Sequence, residues 1–290
     1  MEQRWVIDDE IEEGAIADLA KELGIPAILS RILLKRGIDC FDKARPYFRP
    51  DLQHLHDPYI MRDMDLAVDR LHKALSTGEN ILVYGDYDVD GVCSCTLLYL
   101  VLSKMVGTKV SYYIPDRINE GYGLSNNSIQ EHADNGVSLI ITIDCGVTAV
   151  DEIAFAKELG VDVIVCDHHV PGEELPPAVA VLDPKREDCP YPFKELAGVG
   201  VGFKFMQALY QRLELKQSEL DDYLDIVAIG SCADIVPLVD ENRIMVRHGL
   251  DRCERGLCCD DRRRSVLPPR RTGGVLALSR HVLRWLSRAP

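Results

Sequence analysis

Asn80-Ile-Leu-Val-Tyr-Gly-Asp-Tyr-Asp-Val-Asp-Gly91 is the stretch on which the reading of this chain turns. The apolar run Ile81 to Tyr84 leads into three acids at alternate positions, Asp86, Asp88 and Asp90, and Gly91 closes the turn before a long apolar segment. Carboxylates this close repel one another, and holding them together without a cation costs stability, so the arrangement points to a bound metal. The same pattern opens a calcium loop of the EF-hand type, which needs an acid at its twelfth position and helices on both sides. The twelfth residue here is Leu97 and a strand precedes the acids, so that reading fails on both counts.

Outward from this stretch, a strand–helix rhythm predicts strands at 80–85, 109–114, 138–143, 161–166 and 178–182, with helices at 91–106, 126–134, 147–159 and 201–213. Continuous Val/Ile/Leu runs alternating with helices indicate an α/β fold with a parallel sheet covered on both faces. Four of the strands end in an acid, Asp86, Asp144, Asp167 and Asp183. Ligands of open α/β sheets bind beyond the carboxyl ends of the strands, so these acids are expected to converge at one rim. Residues 219–250 read as helix, loop and helix, with Asp234 in the loop. Upstream, residues 1–75 read as a mainly helical segment, broken at Pro26, Pro46, Pro50 and Pro58 and closed by an amphipathic helix from Met64 to Leu75. The catalytic domain is expected at 76–250. His54, His56 and His72 read as surface or packing residues.

The formal charge of −14 argues against a generic polyanion-binding surface. It leaves nucleic acid open as a substrate, because divalent cations and a local basic groove can offset an acidic average. The ten Cys form no regular framework, the N-terminus is acidic rather than signal-like, and no run approaches the roughly 18 apolar residues of a membrane helix. A cytoplasmic enzyme with reduced thiols and no membrane partner is the expectation. Residues 251–290 differ in kind, with ten Arg, no Lys and an abrupt change of usage near Asp251. They read as an atypical, non-native tail in preference to a basic arm.

Two further strand ends carry chemistry. In Ile143-Asp144-Cys145-Gly146 an acid precedes a turn glycine, a pattern that equally fits a helix cap. In Cys166-Asp167-His168-His169 adjacent imidazoles end a buried strand, where both can reach one site and Asp167 can orient a ring. Carboxylates with imidazole suit Mn²⁺ or Mg²⁺ better than structural zinc. Phosphate contacts are expected from Arg117 and Tyr122 in a glycine-containing loop. Gly200 and Lys204 are further candidates, in a segment (198–204) that opens a helix whose N–H groups can receive an anion. Close helix packing is the alternative reading of the same glycines.

Taken together, Asp86-Tyr-Asp88-Val-Asp90-Gly, Ile143-Asp144-Cys-Gly, Asp167-His168-His169 and Ala233-Asp234-Ile-Val-Pro-Leu238 resemble the four motifs of the DHH phosphoesterases in order and spacing. Tyr84-Gly85, the Arg117 to Gly123 loop and the Ala233 to Leu238 motif resemble the RecJ branch, single-strand-specific DNA exonucleases. Tyr84 stands where the pyrophosphatase and short-oligonucleotide branches usually carry a metal-binding His. The resemblance implies a DHH catalytic domain with two Mn²⁺ or Mg²⁺ ions and 5′→3′ hydrolysis of single-stranded DNA in repair and recombination. Asp86, Asp88, Asp144, His168 and Asp234 match the metal ligands, with Asp144 bridging the ions. His169 matches the other third-motif histidine, and Asp90 and Asp167 stand behind the ligands as catalytic support. A helicase or single-strand-binding protein is an expected partner. Relatives continue into a second domain and an oligonucleotide-binding domain with no match here, so a nearly complete metal site with a poor grip on DNA is expected. Competing readings are a DHH enzyme acting on a cyclic dinucleotide, an oligoribonucleotide or pyrophosphate, and a non-catalytic module that keeps the fold.

Overall fold

The computed structural model describes residues 11–254, apart from 106, 108, 118–120 and 122. Tyr122 and the Arg-rich tail beyond Glu254 lie outside the described residues. The chain divides into two compact units, Met1–Leu55 and His56–Pro290.

The first unit holds α1 (Glu13–Leu23), α2 (Ala27–Lys35) and α3 (Phe41–Phe48) around Leu19, Leu33, Ile38 and Ala44. Gly24 ends α1 at φ +66°, a left-handed conformation that glycine adopts without strain. Pro46, expected as a breaker, sits inside α3. The helix is short enough that the proline removes only one donor from its last turn.

The second unit runs α4 (Met64–Thr77), β1 (Asn80–Gly85), α5 (Val89–Leu102), β2 (Lys109–Tyr113), α6 (Asn126–Asp134), β3 (Val137–Ile143), α7 (Val150–Glu158), β4 (Asp162–Cys166), β5 (Ala180–Leu182), α8 (Gly198–Arg212), α9 (Gln217–Leu220), α10 (Leu224–Ala233) and α11 (Asp240–Glu254). The division at Leu55/His56 puts α4, the last helix of the segment expected over 1–75, in the second unit. The apolar stripe of α4 (Met64, Ala67, Val68, Leu71, Ala74) is buried, and the helix packs on α8 and β5 within this unit. The onset of atypical composition at 251 also falls inside an element, since α11 continues to Glu254.

The five strands form one parallel sheet in the order β2-β1-β3-β4-β5. Alternate residues of each strand face opposite sides. Leu82 and Tyr84 of β1 join Ile140, Val163 and Val165 in a cluster with Ile129 of α6 and Ile153 of α7. Helices α5 and α8 pack against the sheet as well, and α10 packs on both of them. The register pairs Gly85 with Ile143, Ile143 with Cys166, and Cys166 with Leu182. These four residues form a row, so the next residues, Asp86, Asp144, Asp167 and Asp183, start from one rim. Strand order reverses between β1 and β3, the switch point at which open sheets of this kind leave a crevice for ligands.

Candidate metal centre

Asp86 and Asp144 follow β1 and β3 and therefore stand on either side of that crevice. Asp144 takes φ +61°, a left-handed conformation uncommon outside glycine and asparagine, and donates its backbone N–H to Cys166 O at 2.9 Å. Asp88 caps α5 by accepting from Gly91 N at 2.9 Å. A side chain at Gly91 would lie 2.5 Å from Asp86 O, so the tight turn that gathers the acids requires glycine. Asp90, in the first turn of α5, accepts from Gly198 N at 2.7 Å and Val199 N at 3.1 Å, where it caps α8. Asp234 ends α10, its N–H donating to Gly230 O.

Three triads of ligand atoms each lie within 4.8 Å of one another: Asp86, Asp88 and Asp144; Asp144, His168 and His169; Asp90, His168 and Asp234. His168 Nε2 is 3.1 Å from Asp144 Oδ1 and 3.7 Å from Asp234 Oδ2. The 3.1 Å contact lacks hydrogen-bond alignment, and Asp86 Oδ1, Asp144 Oδ1 and both ring nitrogens of His168 are buried without a hydrogen-bond partner. Orphaned buried polar atoms are expensive, and the Asp86 and Asp144 oxygens together with His168 Nε2, gathered with the other carboxylates of the cluster, fit a hard divalent cation such as Mn²⁺ or Mg²⁺. The electrostatics agree. Burial, then Asp88 and Asp167, push the Asp144 carboxyl up to about 9. Burial also raises Asp86, Asp234 and, well above the usual carboxylate range, Asp90, whose second cause is Asp144. Without a cation this cluster favours protonated acids; a divalent ion reverses that preference.

Asp167 is used differently. It is buried and accepts from Val147 N (2.9 Å), His168 N (2.8 Å) and His169 N (3.2 Å), while its Oδ1 lies 2.7 Å from His169 Nδ1. Burial alone would raise this carboxyl, but the bond and charge of His169 outweigh it and the net shift is downward. The same bond holds the His169 imidazole up at about 9. Asp167 thus shapes the turn and orients the ring, as a carboxylate behind a metal-ligating histidine does.

The expected substrate contacts fare unevenly. Arg117 is exposed, with its guanidinium 5.2 Å from the ring centroid of Tyr87, between Asp86 and Asp88. Tyr122 lies outside the described residues. Gly200 and Lys204, expected at a phosphate, are both buried within the fold. A Cβ at Gly200 would sit 3.2 Å from the Leu196 side chain, so packing explains this glycine. Lys204 is 0% exposed and donates to Glu241 Oε1 at 3.0 Å and to His56 O. Tyr84 points to the α6 face, with its hydroxyl 3.0 Å from Gly123 O.

Two glycines built into the site have roles that the motif reading did not assign. A Cβ at Gly198 would lie 2.5 Å from Asp144 Oδ1, and one at Gly230 would lie 2.7 Å from Asp90 Oδ1. Both let a helix backbone approach a carboxylate of the cluster. Asp183, buried at the end of β5, accepts from Lys185 N at 2.7 Å and is raised to about 7 by burial, but it joins none of the triads.

An open parallel sheet with carboxylates and paired histidines gathered at its switch point defines a metal-site α/β protein, and comparison with known proteins places it: the chain belongs to the DHH family, whose N-terminal domain is matched over residues 80–231. Within that family it is similar to the single-stranded-DNA-specific exonuclease RecJ of Bacillus subtilis, at 44% identity over 252 residues, 87% of this chain and 31% of that protein. Among solved structures it is similar to exonuclease RecJ bound to manganese, with a TM-score of 0.64 and 34% identity over 81% of this chain and 58% of that one. RecJ of Thermus thermophilus in complex with Mn²⁺ gives a TM-score of 0.72 at 26% identity, covering 96% of this chain and 44% of that one. The chain therefore spans about a third of the length of its Bacillus relative.

Proposed function

We propose that this chain carries the catalytic centre of a metal-dependent phosphoesterase that hydrolyses single-stranded DNA from the 5′ end, in repair and recombination. The observation that carries the reading is the sharing of residues between triads: Asp144 belongs to two of them and His168 to two. Shared ligands are what a pair of adjacent ions requires. Asp86, Asp88, Asp144, His168 and Asp234 would hold two Mn²⁺ or Mg²⁺ ions, with Asp144 between them. Bound there, such ions supply the Lewis acidity that polarises a phosphoryl oxygen and makes water nucleophilic near neutral pH. The chain's own residues do the rest. Asp167 fixes the His169 ring, Asp90 ties α5 to the start of α8 so that the two halves of the site keep their spacing, and Arg117 offers a cation to a phosphate at the rim. Similarity to RecJ supports single-stranded DNA as the substrate. The same reading carries a cytoplasmic setting and a helicase or single-strand-binding protein that supplies the strand as its proposed surroundings. Among the described residues no helix is long and apolar enough to cross a membrane.

The test is a Mn²⁺-dependent nuclease assay of these 290 residues on 5′-labelled single strands, with pyrophosphate and dinucleotides as competitors. Release of nucleotides from the 5′ end is expected, and it should vanish in Asp144→Ala. A preference for pyrophosphate or dinucleotides would overturn the substrate.

A further inference from the structure

Asp234 enters the site from the loop between α10 and α11, and that loop has little core of its own. Cys232, Ala233, Ile235, Pro237, Leu238, Val239 and Asp240 are all exposed, and Ile235 is 87% exposed at φ +59°, a strained conformation for a β-branched residue. A loop so exposed is expected to open easily unless something fixes its backbone. At its α10 end the fixing is visible, since Asp234 N–H donates to Gly230 O and Gly230 lies against Asp90. At the middle it comes from Asn242, in the first turn of α11. Asn242 is 0% exposed, and its amide donates to Pro237 O at 3.1 Å and to Glu195 O. Both amide hydrogens are thereby used, which also fixes which end of the side chain is nitrogen. Pro237 is three residues from Asp234. Glu195 is three residues before Gly198, whose N–H Asp90 accepts.

We propose that Asn242 is a positioning residue for the metal centre: it pins the Asp234 loop to the segment that precedes α8, and so holds Asp234 in register with Asp90 and His168. The first turn of α11 is anchored for this purpose. Its neighbour Glu241, 0% exposed, accepts from His56 N (2.9 Å), Lys204 Nζ (3.0 Å) and Tyr191 OH (2.6 Å). Lys204, expected at first to touch phosphate, instead secures the helix end from which Asn242 reaches. The inference rests on the reading of Asp234 as a metal ligand.

The test is calorimetric titration of metal-free protein with Mn²⁺, with folding checked by circular dichroism. Asn242→Leu keeps the volume and loses both donors, and Asn242→Ser is the milder variant should the first fail to fold. Partners behind metal ligands are worth about ten- to a hundredfold in metal affinity, and a weakening of about tenfold is expected for either variant. Tyr191→Phe, which loosens the same helix end without touching the loop, should change affinity less than about threefold on the same scale. In an Asp234→Asn background the Asn242 substitution should cost no further affinity, a dependence that a merely structural role would not produce. Folded Asn242 variants that bind Mn²⁺ like the wild type, while Asp234→Asn binds weakly, would overturn the inference alone. Wild-type protein that binds no Mn²⁺, or Asp234→Asn that binds normally, would overturn the metal reading on which it rests.

Discussion

Replacing Asp144 by Asn should stabilise the metal-free protein and destabilise it relative to wild type once Mn²⁺ is added. Asp144 is 2% exposed and its carboxyl is raised from 3.8 to about 9, first by burial and then by Asp88 and Asp167. Between those values the folded state binds more protons than the unfolded state, so stability falls as pH rises through that window. At pH 7 the shift amounts to a ceiling of about 4 kcal/mol against folding. Asn has nearly the same shape, tolerates φ +61° and carries no charge. Its amide, however, inherits the unpartnered Oδ1 position, which returns about 1–3 kcal/mol. A net gain of at most about 1–3 kcal/mol raises the melting temperature by about 2–12 °C in a chain of this size. Thermal denaturation in EDTA from pH 4 to 9 should show wild type losing stability steadily and the variant following a flatter line. In saturating Mn²⁺ the order should reverse, because only wild type gains the linkage energy of bound ions. A variant that melts at or below wild type in EDTA, with an unchanged pH slope, would refute the electrostatic reasoning.

Other substitutions probe other joints of the site. In the metal-free protein the His169 imidazole should titrate by NMR near 9, and Asp167→Asn should return it to the ordinary histidine range. The sign follows from the raised value: the His169–Asp167 pair contributes fully below about pH 6.5 and its contribution is lost as pH rises through about 9. Gly198→Ala places a methyl 2.5 Å from Asp144 Oδ1, so it should cost about 1–3 kcal/mol in denaturant unfolding and weaken Mn²⁺ binding by calorimetry. Lys204→Met leaves the buried Glu241 without its cation, for a loss of about 3–5 kcal/mol in chemical denaturation.

The sheet was legible because its strands are continuous apolar runs bounded by turns, and the four strand-end acids gave the rim before any contact was known. The prediction of α6 matched the observed 126–134 because Ser125 caps it, its side chain accepting from Ser128 N. The ligand cluster was legible for a related reason: strand ends in a parallel sheet lie side by side, so acids far apart in sequence converge. Gly198 to Lys204 misled because glycines that open a helix look alike whether they meet a phosphate or a neighbouring side chain. Here Gly198 meets Asp144 and Gly202 meets Leu98 and Ile143. Asn242 left no signal, since its partners are the carbonyls of Pro237 and Glu195, and a carbonyl carries no residue identity. That α4 packs on α8 and β5 was not legible, because amphipathicity shows that a helix buries a face but not against what.

The most direct test of the central claim is the stoichiometry of Mn²⁺ bound by the metal-free chain, read by titration calorimetry beside Asp144→Ala. Saturable binding approaching two ions per chain, collapsing when the shared carboxylate is removed, is the predicted result. No saturable binding, or binding that survives Asp144→Ala unchanged, would contradict it.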